Sequence, residues 1–129
     1  MSLRSVLLVE DNADNRDIYC TFLRHFGFTV LEAEDGVEGV RLAREHLPAL
    51  VLMDVGMPVL NGLDATRRLK ADPTTAAIPV VALTAHAMES DERAAAEAGC
   101  VAFIAKPAEP SRILELVRSY LEPAPVLLG

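Results

Sequence analysis

The chain has 129 residues, enough for one domain with a substantial hydrophobic core, and its 51% apolar and 24% charged content is that of an ordinary globular protein. A net charge of −7 argues against a sequence-independent nucleic-acid binder or a protein that lies on an anionic membrane, because both gain affinity from Lys and Arg. No apolar run reaches the roughly 20 residues a membrane-spanning helix needs, no secretory core precedes Val6, and Cys20 and Cys100 lack metal-ligand spacing, so the chain reads as soluble and cytoplasmic with free thiols.

Short apolar runs alternate with amphipathic stretches, the pattern of βαβ units and a parallel sheet. Residues 5–10 read as the first strand. They lead into a helix with Ile18, Phe22, Leu23 and Phe26 at helical spacing, closed by Gly27 at C′. Residues 28–31 form the second strand, and Asp35-Gly36 turns the chain into a helix carrying Val37, Val40 and Leu47, stopped by Pro48. The continuous apolar run 49–53 is how a strand buried on both faces reads, which places it centrally. After the Gly56-Met57-Pro58 loop, Asn61 caps a helix over 62–71 that ends at Asp72-Pro73.

Residues 79–83 are the fourth strand, with Pro79 tolerated at its first position. The Ala- and Glu-rich stretch 88–98 is a good helix by propensity, but it has few large apolar residues and so should pack lightly. Residues 101–105 are the fifth strand. The last helix starts near Pro110 and presents Ile113, Leu114, Val117, Tyr120 and Leu121 for burial. Five strands and five helices in strict alternation, joined by right-handed crossovers, put helices on both faces of one sheet. The domain is expected over 4–121, with 122–129 a flexible tail whose Val126-Leu127-Leu128 forms a short apolar strip.

Four strand segments end on reactive side chains: Glu10 and Asp11, Asp54, Thr84, and Lys106. In an open parallel sheet the ligand site lies outside the carboxyl ends of the strands, so these groups are expected to converge. Glu10, Asp11 and Asp54 would repel one another there, and Mg²⁺ is the natural remedy because it takes oxygen ligands and bridges to phosphate. Asp54 ends the most buried strand, and a carboxylate there is suited to attack phosphorus and form an aspartyl phosphate. Lys106 would place a compact positive charge on one phosphoryl oxygen, and the Thr84 hydroxyl would donate to another. The simpler reading, acids that merely cap helices, suits one acid better than three beside a lysine and a threonine. His25 and His46 fall at helix ends and His86 in a loop; none is given a catalytic role.

Five segments carry a family resemblance: Val9-Glu10-Asp11-Asn12, Leu52-Met53-Asp54-Val55-Gly56-Met57-Pro58, Asn61-Gly62, Ala82-Leu83-Thr84-Ala85-His86-Ala87 and Ala105-Lys106-Pro107. In order and correctly spaced, they make the chain resemble the receiver domain of two-component response regulators over residues 4–121. The wording around Thr84 is most similar to stand-alone phosphorelay receivers and those of hybrid kinases. The resemblance implies a flavodoxin-like, doubly wound five-stranded parallel sheet of order 2-1-3-4-5, with Asp54 as phospho-acceptor. It implies Mg²⁺ (or Mn²⁺) held by Asp11, Asp54 and the Gly56 carbonyl, with Glu10 acting through water, and a cis Lys106-Pro107 peptide. It further implies that Thr84 and Phe103 act as a switch, remodelling the face of the fourth helix, fifth strand and fifth helix. The implied partners are a histidine kinase or histidine phosphotransfer protein and a downstream protein target, with no nucleic acid and no membrane.

One position departs from the family pattern. Two residues after Asp54 a longer side chain is usual, and here Gly56 should leave an acyl phosphate open to incoming reagents. The same glycine weighs against an aspartate-nucleophile phosphatase, which places a second Asp there as acid and base. A receiver-like scaffold that only binds partners is a further alternative, and it has no use for the full acceptor set. Gly36 and Gly39 do not form the dinucleotide-binding pattern after the first strand.

Overall fold

Strands β1 (Ser5–Val9), β2 (Thr29–Ala33), β3 (Leu50–Asp54), β4 (Val80–Thr84) and β5 (Ala102–Ala105) alternate with helices α1 (Ala13–His25), α2 (Gly36–His46), α3 (Gly62–Ala71), α4 (Glu89–Ala98) and α5 (Pro110–Leu121). The computed structural model describes residues 4–57, 60–85 and 88–122. Pro58, His86, Ala87 and the tail from Pro123, including Val126-Leu127-Leu128, lie outside the described residues. All strand pairings are parallel, and the sheet order is β2-β1-β3-β4-β5, the flavodoxin-like order implied above.

The sheet divides the core by simple alternation. Val6 and Leu8 of β1, Leu50 and Leu52 of β3, and Val81 and Leu83 of β4 face α1 and α5, where they meet Tyr19, Cys20, Leu23, Ile113 and Val117. Leu7, Val9, Val51, Met53 and Val80 face the other way, against Val40 and Ala43 of α2 and Ala65 and Leu69 of α3. Every residue of β1, β3 and β4 is buried, which is why these segments read as continuous apolar runs, while edge strands β2 and β5 alternate or are half-exposed. Each large side chain so buried contributes on the order of 1.5–3 kcal/mol, which anchors the strand ends that carry the polar residues.

Three helices start on a side-chain cap. Asn12, Asp35 and Asn61 each accept from the backbone N–H three residues on, at 2.9, 2.8 and 2.9 Å. Gly27, at φ +92, follows α1 in the left-handed conformation expected of a C′ glycine. Helix α4 buries only Ala95 and Ala98, in keeping with its small side chains.

Some expected burial does not occur. Ile18 is 52% exposed, and α1 instead turns Tyr19, Cys20 and Leu23 into the core, with Phe22 and Phe26 flanking. Val37 points outward from α2, while Val40 and Ala43 fill that core. Tyr120 lies at the surface, its hydroxyl donating to the Val101 carbonyl at 3.4 Å. In each helix the apolar set is wider than the sheet can cover, so packing selects part of it. The second strand also runs later than expected, because the Phe28 N–H still closes α1 on Leu23.

Candidate functional site

The ends of β1, β3, β4 and β5 lie side by side. Val9 pairs with Met53, Asp54 with Leu83, and Thr84 with Ala105, so Glu10, Asp54, Thr84 and Lys106 follow at one edge of the sheet. The backbone ties the loops to this edge: Glu10 N–H donates to Ala33 O at 3.0 Å, Val55 N–H to Leu83 O at 2.8 Å, and Lys106 N–H to Thr84 O at 2.6 Å. Lys106-Pro107 is a cis peptide.

Carboxylate oxygens of Glu10, Asp11 and Asp54 all lie within 4.8 Å of one another. Glu10 is fully buried, Asp54 is 5% exposed and Asp11 is exposed, so the cluster is closed below and open at one side. Lys106 Nζ stands 2.6 Å from Glu10 Oε1 and 3.4 Å from Asp54 Oδ1. The Gly56 N–H donates to Asp54 Oδ1 at 3.2 Å. Thr84 is buried at the end of β4. Phe103 stands apart, half-buried on β5 among Glu92, Ala95 and Ala96 of α4, and belongs to neither core.

The electrostatics follow from burial and like charge. Burial raises the Asp54 pKa above the usual carboxylate range, the nearby Glu10 carboxylate raises it further by favouring the protonated form, and Lys106 only partly opposes this. Burial works against the Lys106 charge, but Glu10 and Asp54 outweigh it and hold its pKa above the ordinary lysine value. Among the described residues three acids share one ammonium, which leaves the cluster with more negative than positive charge.

The donor set fits a hard divalent cation. Oxygen ligands are what Mg²⁺ takes, and Glu10 Oε2 is buried with no hydrogen-bond partner among the described residues, an atom that calls for water or a cation. A Cβ built on Gly56 would meet no atom of the described residues within 4 Å.

Sequence reading overlooked Asn15 and Arg16, which shape the cluster, and did not show the contact made by Gly62. Asn15 Nδ2 donates to Glu10 Oε1 at 3.3 Å, and Arg16 Nη1 donates to the Glu10 carbonyl at 2.8 Å. Arg16 is itself flanked by Glu32 and Glu34, each at 3.6 Å. Gly62 packs its α-carbon against the backbone of Asp54, where a Cβ would strike the Asp54 carbonyl oxygen. The available signal for Asn15 was its place one turn after the acidic pair, on the helix that Asn12 caps.

A model of the response regulator receiver domain matches residues 6–118. The polar-differentiation response regulator DivK of Brucella anthropi is 41% identical over 118 residues, which span 92% of this chain and 96% of that protein. The receiver domain of a sensor histidine kinase from Pseudomonas aeruginosa, solved with a magnesium ion coordinated in its active site cleft, is 32% identical with a TM-score of 0.85. That match covers 93% of this chain and 98% of that one. Chemotaxis protein CheY4 of Vibrio cholerae superposes with a TM-score of 0.88 over 93% of this chain and 100% of its own, at 23% identity, a likeness of fold alone.

Proposed function

The chain belongs to the response regulator receiver domain family, and from that membership we propose that residues 4–121 accept a phosphoryl group from a phosphohistidine onto Asp54. Receiver domains are phospho-acceptors of two-component signalling rather than enzymes that turn over a substrate. The observation that carries the reading is the meeting of three carboxylates within 4.8 Å beside a lysine 3.4 Å from Asp54.

Asp11, Asp54 and the Gly56 carbonyl would hold Mg²⁺ (or Mn²⁺), with Glu10 acting through water. The bound cation would neutralise charge on the incoming phosphoryl oxygens. A carboxylate oxygen of Asp54 attacks phosphorus, the P–N bond to the donor imidazole breaks, and the imidazole leaves with the bonding electron pair. Lys106 pairs with a phosphoryl oxygen and the Thr84 hydroxyl donates to another, so this chain contributes positioning and charge. Gly56 leaves the product accessible to water or a partner.

The partners that fit are a histidine kinase or histidine phosphotransfer protein as donor and a protein target downstream. The outgoing signal would pass through the face of α4, β5 and α5, where lightly packed α4 and half-buried Phe103 have room to rearrange when Thr84 shifts. Among the described residues no helix is long and apolar enough to cross a membrane. Labelling with a small phosphodonor and Mg²⁺ tests the reading: wild type should take up one phosphoryl group and Asp54→Ala none. Labelling that survives the substitution overturns it.

A further inference from the structure

The two carboxylate oxygens of fully buried Glu10 are treated unequally. Oε1 accepts from Lys106 Nζ at 2.6 Å and from Asn15 Nδ2 at 3.3 Å, while Oε2 has no partner among the described residues. The short charge-assisted bond from Lys106 already satisfies Oε1, so the longer amide bond adds little in this state. Its value lies in a state where Lys106 is engaged elsewhere.

Such a state follows from the geometry. Lys106 also stands 3.4 Å from Asp54 Oδ1, and it is the one basic residue paired with Asp54 among the described residues. A phosphoryl group there brings more negative charge and three strong acceptor oxygens, which draw the ammonium away from Glu10. Among the described residues, Asn15 is then the donor left on Oε1. The first turn of α1 is built to hold on: Asn15 N–H is fixed by Asn12 Oδ1 at 2.9 Å, and neighbouring Arg16 grips the Glu10 carbonyl at 2.8 Å.

We propose that Asn15 is a positioning residue whose side-chain amide holds Glu10 Oε1 while Lys106 turns to the phosphoryl group, keeping the Glu10 carboxylate in place at the acidic cluster. The proposal rests on Asp54 being the phospho-acceptor.

Calorimetric titration of the full chain with Mg²⁺ alone, and with beryllofluoride in saturating Mg²⁺, separates the two states. Asn15→Leu matches the size and removes the donor; Asn15→Ala removes it without adding an apolar group; Asn15→Gln keeps an amide. In the Leu and Ala variants Mg²⁺ affinity should change less than about twofold, because Lys106 still serves Oε1, while beryllofluoride affinity should fall about tenfold, the loss of one hydrogen bond to a charged group. Asn15→Gln should recover most of it. In urea, Asn15→Leu combined with Lys106→Met should lose more stability than the two single changes together, since Oε1 then has no donor.

If wild type binds no beryllofluoride with Mg²⁺, the acceptor reading falls and this one with it. If wild type binds but the Leu and Ala variants bind equally well, only the role of Asn15 is overturned. Equal weakening of Mg²⁺ and beryllofluoride, or strict additivity in urea, also overturns it by marking Asn15 as a general support of the loop.

Discussion

Asp54 shows how one residue can be costly to the fold that carries it. Burial and the neighbouring Glu10 raise its pKa, so the folded chain holds the Asp54 proton more tightly than the unfolded chain does. Where the folded state binds more protons, stability falls as pH rises, here from the ordinary carboxylate pKa up through the raised one. Without divalent cation, Asp54→Asn should therefore raise the unfolding free energy measured in urea at neutral pH by on the order of 1 kcal/mol. The gain should vanish in acid, where wild-type Asp54 is itself protonated. A variant less stable than wild type at neutral pH would contradict this account. Asp54, Asp11 and Lys106 were legible in the sequence because a reactive residue closing an apolar run is a local pattern. Asn15 was not, because its role depends on an oxygen delivered by another element.

At the scale of elements, the entry to α3 decides where Asp54 sits. Gly62 N–H donates to Val55 O at 3.1 Å, and a Cβ at position 62 would strike the Asp54 carbonyl and crowd the Met53 side chain, itself fully buried. Gly62→Ala must push β3 or α3 aside and should cost about 2–3 kcal/mol in urea, with weaker Mg²⁺ binding as Asp54 shifts. Gly56→Ala is the matching control: its Cβ meets nothing among the described residues, so stability should stay within about 0.5 kcal/mol. Equal costs at the two glycines would refute the close-approach argument. The sequence showed both glycines and the Asn61 cap with equal clarity, and α3 falls at the expected residues 62–71. What it did not distinguish was a glycine required by contact from one facing open space. The helix faces divide in the same way, since Ile18 was the core residue expected from spacing and Tyr19 is the one buried once α5 lies beside α1.

The whole molecule is acidic, at −7, and concentrates three carboxylates on a single ammonium at one end of its sheet. A cation that binds the folded cluster and finds no such cluster in the unfolded chain stabilises the fold by mass action, about 2.7 kcal/mol at one hundred times its dissociation constant. Thermal unfolding should therefore shift upward with Mg²⁺, return on adding a chelator, and shift much less in Asp11→Asn. An unchanged Tm across the titration would count against a cation site at these residues.

By itself the sequence determined the alternation of five strands and five helices, the burial of β3, and the residues that close the strands. These follow from periodicity and from end residues, which are properties of short stretches of chain. Only the tertiary structure decided which helix faces are covered, that Gly62 touches the backbone of Asp54, and that, among the described residues, Glu10 is held by Asn15 and Lys106 on one oxygen and left unpartnered on the other. Those features are distances between elements, and they exist only once the strands are in register. The acidic cluster at the strand ends was thus foreseeable in composition, while the way it is held became visible only in the folded chain.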